Sequence, residues 1–229
     1  MISVIIPTRN RARYLKNALT SITKQTLNPN EFEVLVVDNG STDTTCEVVN
    51  KFKTKMSNLK YFFAPEPGLH VGRHLGLKES SGDILVFADD DIEAFSSWLE
   101  SYNNIFNSSK SIAMAGGNNI PKFECEPPNW IKELWNKSLF KSYNSIPLLS
   151  VIEFKKNPKF ISPFLVWGCN FAIRKDVLLA AGGFHPDGMP NELLKYRGDG
   201  ETHVSRYVEE SSMLCAFSKD ASVFHLVTE

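Results

Sequence analysis

Four short runs made wholly of apolar or aromatic residues set the frame for this chain: Val4-Ile5-Ile6, Val34-Leu35-Val36-Val37, Tyr61-Phe62-Phe63 and Ile84-Leu85-Val86-Phe87. A continuous apolar run, without alternation, is what a strand buried on both faces requires. Between and after these runs the spacing changes to that of one helix face. Leu15, Ala18, Leu19 and Ile22 follow it, as do Thr45, Val48, Val49 and Phe52; a helix is expected from about Val71 to Glu79, and Trp98, Leu99, Tyr102, Ile105 and Phe106 mark another. Strands recurring at roughly 25-residue intervals with helices between them predict an α/β fold, a mostly parallel, doubly wound sheet flanked by helices.

In such sheets ligands bind at the carboxyl ends of the strands. Those ends carry Thr8-Arg9, Asp38 and Asp89-Asp90-Asp91. Three adjacent carboxylates repel one another and are costly to hold together without a cation. In extended chain alternate side chains point the same way, so Asp89 and Asp91 can share a target while Asp90 faces elsewhere. Mg2+ or Mn2+ suits carboxylates that also meet substrate phosphates; an acidic turn in solvent is the plainer alternative. Asp38 can accept from a base or ribose, or close the Asp38-Asn39-Gly40-Ser41 turn. No GxGxxG and no GxxxxGK[ST] occurs, which disfavours an NAD-type site and a P-loop.

The second half is less regular. Residues 120 to 165, rich in Pro, Asn, Lys and aromatics, read as a long excursion with short helices. A strand is expected over Val166 to Arg174, a helix over Lys175 to Ala181 ended by Gly182-Gly183, and a last strand over Ala221 to Val227. With 25 basic against 26 acidic residues, the chain shows no electrostatic footprint for nucleic acid. Four cysteines without a CxxC pair point to a reducing compartment, and neither a basic leader nor an apolar run of about 18 residues is visible.

Taken in order, Val4-Ile5-Ile6-Pro7-Thr8-Arg9-Asn10, Val36-Val37-Asp38-Asn39-Gly40-Ser41-Thr42-Asp43, Gly82-Asp83-Ile84-Leu85-Val86-Phe87-Ala88-Asp89-Asp90-Asp91, Gly168-Cys169-Asn170-Phe171-Ala172-Ile173-Arg174 and Gly182-Gly183-Phe184 resemble the GT-A glycosyltransferases of family 2. The resemblance implies one GT-A catalytic domain over 1–229, with a nucleotide-sugar-binding half at 1–117 and an acceptor-binding half at 118–229. It also implies an inverting transfer from a nucleotide-diphosphate sugar to a glycan or lipid-linked acceptor. A UDP-sugar is the commonest donor in that family, with guanosine and thymidine carriers open. By position, Thr8 and Arg9 would lie beside the nucleotide and Asp38 would contact its base. Asp91 would bind Mn2+ or Mg2+, Asp89 would contact ribose or metal, and His225 would complete the metal site. Arg73, in a segment similar to the family's Ala-Arg-Asn-x-Gly, could pair with phosphate or stand solvated on a helix face.

The family's Glu-Asp base pair is altered here to Gly198-Asp199-Gly200-Glu201-Thr202. Glu201 is the first candidate for general base and Asp199 the second; alternatively both acids stabilise a helix N-terminus. Trp130, Trp135 and Trp167 are candidates for stacking on an acceptor sugar, although Trp130 and Trp135 could simply pack a short helix. A cytoplasmic setting with room for peripheral membrane association follows from the family. Two other readings stay open: a nucleotidyltransferase or phosphotransferase on a similar sheet, and a non-catalytic module that binds nucleotide sugars.

Overall fold

The computed structural model describes residues 1–66, 68–137, 141–184 and 200–228. In chain order the elements are β1 (Ile2–Thr8), α1 (Ala12–Ile22), β2 (Phe32–Asp38), α2 (Thr45–Lys53), β3 (Leu59–Phe63), α3 (Leu69–Glu79), β4 (Ile84–Ala88), β5 (Ile92–Ala94), α4 (Trp98–Ser108) and β6 (Ile112–Gly116). They continue with β7 (Asn119–Phe123), α5 (Asn129–Asn136), β8 (Tyr143–Ile146), β9 (Val151–Phe154), β10 (Asn170–Arg174), α6 (Lys175–Ala180), α7 (Glu201–Glu210), β11 (Leu214–Phe217) and β12 (Val223–Val227).

Among the described residues the main sheet has the order β11-β6-β10-β4-β1-β2-β3. Strands β3, β2, β1 and β4 run parallel, β10 is antiparallel between β4 and β6, and β11 is parallel to β6. The two faces explain the unbroken apolar runs. Val4 and Ile6 of β1 join a core with Leu15 and Leu19 of α1, Val49 of α2 and Trp98 of α4. Ile5, one step along, faces the opposite core with Leu77 of α3, Leu178 of α6 and Val204 of α7. Successive side chains of a strand point to opposite faces, so a strand sandwiched by helices must be apolar at every position.

A second sheet, β5-β12-β7-β9-β8, stands beside the first among the described residues. It corrects in part the expectation that residues 120 to 165 form a long excursion with short helices. Among the described residues there, α5 and two 3-10 turns, Pro147–Leu149 and Pro163–Leu165, are such short helices, but β7, β8 and β9 form strands. Their partners lie far away in the chain, as when β12 pairs β7 in parallel. The expected strand over Val166 to Arg174 begins only at Asn170, because the chain turns first: Asn170 N–H donates to the Trp167 carbonyl at 2.9 Å. The last strand likewise starts at Val223, after a 3-10 turn ending at Ala221. Gly182 and Gly183 close α6 with φ of 85° and 82°, a backbone region that glycine enters without steric cost. Among the described residues no helix is long and apolar enough to cross a membrane.

The two sheets are fastened by Asn170, which is 1% exposed. Its Oδ1 accepts from Trp98 Nε1 at 2.8 Å and Tyr102 Oη at 2.6 Å, and its Nδ2 donates to the Ala221 carbonyl at 3.0 Å, just ahead of β12. Asn170→Ala leaves two buried donors on α4 without an acceptor. We expect a loss of about 2–4 kcal/mol, read as a lower urea midpoint at unchanged m-value.

Candidate functional site

The Asp89-Asp90-Asp91 triplet sits where the chain leaves the main sheet and enters the second one. Strand β4 ends at Ala88 and β5 begins at Ile92. Pairing of β5 with β12 sets His225 opposite Ile92, and Leu226 N–H donates to the Asp91 carbonyl at 2.9 Å. Asp91 and His225 are therefore brought together by main-chain register.

Each acid has its own surroundings. Asp90 turns away from its neighbours, as the alternation predicts. It accepts from Thr8 Oγ1 at 2.6 Å and from Arg11 Nε at 2.7 Å. Burial pushes its carboxyl up to about 6, with the Asp91 charge adding to the rise and Thr8 and Arg11 opposing it. Asp91 Oδ2 accepts from Arg11 Nη2 at 2.5 Å. Asp91 Oδ1 is buried with no hydrogen-bond donor, 3.3 Å from His225 Nε2. Burial also raises the Asp89 pKa; Arg73, 3.9 Å away, opposes this and the Asp91 charge adds to it.

His225 Nδ1 lies 3.1 Å from the Leu149 carbonyl. A carbonyl only accepts, so Nδ1 carries hydrogen and the neutral ring turns the Nε2 lone pair toward Asp91. Orientation of one ring nitrogen by a carbonyl is how proteins prepare a metal-binding histidine. Donor atoms of Asp89, Cys169 and His225 lie within 4.8 Å of one another. The orphaned Asp91 oxygen and these convergent donors fit a divalent cation.

Two adjoining clefts meet here. One, of about 320 Å3, is lined by Thr8, Arg9, Arg11, Asn39 and the aspartate triplet. The other, of about 520 Å3, is lined by Arg73, Leu148, Phe164, Trp167, Gly168, Cys169 and Glu201. Asp89 and Leu69 belong to both.

The sequence model described as Glycosyl transferase family 2 matches residues 3–179. The chain belongs to this family. Glycosyltransferase AglE of Haloferax volcanii is 29% identical over 225 residues, which cover 98% of this chain and 66% of AglE. The poly(ribitol-phosphate) beta-N-acetylglucosaminyltransferase TarS of Staphylococcus aureus is 40% identical over 91 residues, 39% of this chain and 16% of TarS. The chain thus spans less than two thirds of the length of these relatives. Among solved structures, TarS 1–349 in complex with UDP-GlcNAc superposes with a TM-score of 0.68 at 21% identity, covering 100% of this chain and 58% of that one. The mannosyltransferase PcManGT of Pyrobaculum calidifontis, in complex with GDP-Man and Mn2+, gives 0.70 at 19% identity, covering 100% and 56%. The fold is therefore GT-A.

Within this family 2 chain, several sequence candidates come together and others do not. Thr8 and Arg9 line the smaller cleft, but the Thr8 hydroxyl is engaged by Asp90. Asp38 is 1% exposed and holds the turn, accepting from Ser41 N–H and from Tyr61 Oη, each at 2.7 Å. Trp167 lines the larger cleft, whereas Trp130 and Trp135 lie on α5, Trp135 packed against the second sheet's core. Asp199 lies outside the described residues.

Arg73 departs most from expectation. It is not solvated on a helix face but 1% exposed, and its Nη1 pairs with Glu201 Oε1 at 2.7 Å. Glu201 also opens α7, with Gly200 N–H donating to its Oε2 at 3.0 Å. Gly168 makes room for the pair, since a Cβ there would stand 2.0 Å from both Arg73 Nη2 and Glu201 Oε1. Arg11 and the Cys169 thiol also stand at the site, although neither is among the candidates that the sequence offers. Arg11 stands two residues beyond Arg9 on the same strand-end loop, and that closeness was the available signal. Cys169 carried no signal, because its partners come from β7 and β12.

Removing one partner of a buried ion pair strands the other charge. Arg73→Met should cost about 3–5 kcal/mol, and Arg73→Met/Glu201→Met should recover most of it in denaturant unfolding. Protonation of His225 gives a second expectation. Burial disfavours the imidazolium, yet Asp91, with Oδ1 3.3 Å from Nε2, and the Asp89 charge raise its pKa above the ordinary 6.5, since a protonated Nε2 would give Asp91 the donor it lacks. That contribution to stability is whole below the unfolded value and is lost as pH rises through the raised folded one. In metal-free melts the wild type's lead over His225→Ala should therefore narrow from pH 5.5 to pH 8.5. A lead independent of pH would contradict the pairing.

Proposed function

We propose that this chain is a glycosyltransferase that moves a sugar from a nucleotide-diphosphate donor to an acceptor hydroxyl, with inversion at the anomeric carbon. The observation that carries this reading is the meeting of the two clefts at Asp89. Nucleotide-side residues line one, and the single described carboxylate facing the other from a different element is Glu201. Family membership and the ligands of the superposable proteins support it: TarS is seen with UDP-GlcNAc, PcManGT with GDP-Man and Mn2+. A UDP-sugar is the first donor to test and GDP-sugars the second.

Residues 1–117 form the donor half on this reading and 118–229 the acceptor half. Arg9 and Asn39 flank the nucleoside and Thr8 buttresses Asp90 from the same wall. Asp38 with Tyr61 borders the base. Asp89, Asp91 and His225 would hold Mn2+ or Mg2+, which neutralises charge developing on the departing diphosphate. Arg73 keeps Glu201 in place and adds positive charge beside Asp89.

Glu201 takes the proton of the acceptor hydroxyl as its oxygen attacks the anomeric carbon. The new carbon–oxygen bond forms as the bond to the phosphate oxygen breaks, and the diphosphate leaves with that electron pair. One displacement needs no covalent enzyme intermediate and inverts the centre. Asp199 is the alternative base. Trp167 and Phe164 offer rings on which an acceptor sugar can stack, and Leu148, 91% exposed, adds an apolar rim suited to a glycan or lipid-linked acceptor. The buried Cys169 and Cys215 carry free thiols, in keeping with a cytoplasmic enzyme; action at the inner face of a membrane is a further part of this reading.

Calorimetric titration with UDP, GDP and dTDP, with and without Mn2+, tests the donor site. One nucleotide should bind in a Mn2+-dependent way and lose binding in Asp91→Ala. Glu201→Gln should retain nucleotide affinity while kcat falls by about 10²–10⁴. No nucleotide binding by folded protein sinks the reading, and full turnover by Glu201→Gln moves the base to Asp199.

A further inference from the structure

The cation site has a sulfur face. Cys169, 1% exposed, stands in the turn before β10 and brings its Sγ within 4.8 Å of donor atoms on Asp89 and His225. The thiol is fixed in place: Asn119 Nδ2 donates to the sulfur at 3.1 Å, and the sulfur lies 3.7 Å from the Ser150 carbonyl. It lines the same cleft as Asp89 and Glu201. A carboxylate, a thiol and an imidazole on three separate strands or strand ends make an oxygen, sulfur and nitrogen set.

We propose that Asp89, Cys169 and His225 form a site for a thiophilic divalent cation, Zn2+ or Cd2+, in competition with the oxygen-seeking ion of the transfer reaction. In a tetrahedral zinc site donor atoms stand about 3.3–3.8 Å apart, given zinc–nitrogen and zinc–sulfur bonds of about 2.0 and 2.3 Å. Pairs of donor atoms therefore need to draw together by about 1.5 Å at most. The sulfur lone pair goes to the metal, and the thiol proton leaves to solvent. His225 already presents Nε2 as its lone pair, since Leu149 holds Nδ1–H.

The consequence is exclusion. Mg2+ and Mn2+ favour carboxylate oxygens and substrate phosphates. A tetrahedral ion held by Asp89, Cys169 and His225 has one remaining position, too few for two diphosphate oxygens. Zn2+ at this site withdraws Asp89 and His225 from the donor complex and inhibits transfer. The inference rests on the cation-assisted reading above for its consequence, but not for its ligand set.

The test uses Co2+ as a spectroscopic stand-in for Zn2+, on the full chain carrying Cys46→Ser and Cys125→Ser, since those two thiols are exposed. The remaining thiol, Cys215, is buried in the core beside Phe171 and Val208 and shares no donor group with the site. Co2+ should give an intense near-ultraviolet thiolate-to-cobalt band together with visible bands of tetrahedral strength. Adding Cys169→Ser, or Cys169→Ala should the serine variant not fold, should abolish the near-ultraviolet band. Zn2+ affinity should fall by at least the roughly 10–100-fold that outer-shell changes cost at metal sites. Mn2+ binding, followed by electron paramagnetic resonance in the same samples, should stay within about twofold, because Mn2+ draws little from sulfur. A Co2+ complex with no thiolate band overturns the proposal, as does a band that survives at position 169. Loss of Mn2+ and nucleotide binding with the thiolate band intact would instead overturn the transfer reading and leave this site standing.

Discussion

A buried guanidinium organises the centre of this molecule. Arg73 comes from α3, Glu201 from the first turn of α7 and Asp89 from the end of β4, and the cation lies 2.7 Å from one acid and 3.9 Å from the other. The Phe184 ring lies below it, with the guanidinium carbon 5.1 Å from the ring centroid. A charge so placed is tolerable only if its partners are held to it, and losing one partner strands the other. The requirement reaches back into the backbone. Gly168 must lack a side chain for the pair to fit, and the turn at Trp167–Asn170 ends just where β10 can join the main sheet.

That dependence explains what could be read from the residues alone. The parallel half of the main sheet follows from Val4-Ile5-Ile6 and its three counterparts, since two-sided burial is written directly as an unbroken apolar run. Asp90 turning away from Asp89 and Asp91 follows from strand alternation. Apart from β12, which the run Ala221 to Val227 announced, the second sheet was illegible for the opposite reason. Strands β8 and β9 have four residues each; β8, at the sheet edge, is half-buried and polar in places, and β9, although largely buried, is too short for a local pattern to mark it. Such short segments take their conformation from tertiary context.

The site divides along the same line. Thr8 and Asp38 sit directly opposite one another in the β1–β2 register, so their shared level at the sheet edge was a consequence of two strands ending together. Arg73 could not be placed correctly from spacing, because whether a helical arginine meets solvent or a carboxylate depends on α7, more than a hundred residues further on. His225 required the β5–β12 pairing to reach Asp91. The strand ends marked where chemistry would gather, while the ion-pair partners were settled by contacts between distant elements.

Negative charge gathers at this centre. Among the described residues four carboxylates, Asp89, Asp90, Asp91 and Glu201, stand within ion-pair distance of two guanidiniums, Arg11 and Arg73, and His225 adds a titratable partner for Asp91. Burial lifts the Asp90 carboxyl to about 6, and Asp91 and Asp89 overcome burial to raise His225. Both shifts favour the protonated forms and so soften the crowding of negative charge. A donor diphosphate would add to that negative charge on arrival. On the proposed reading, cation and nucleotide therefore bind with mutual reinforcement, each lowering the electrostatic cost of the other.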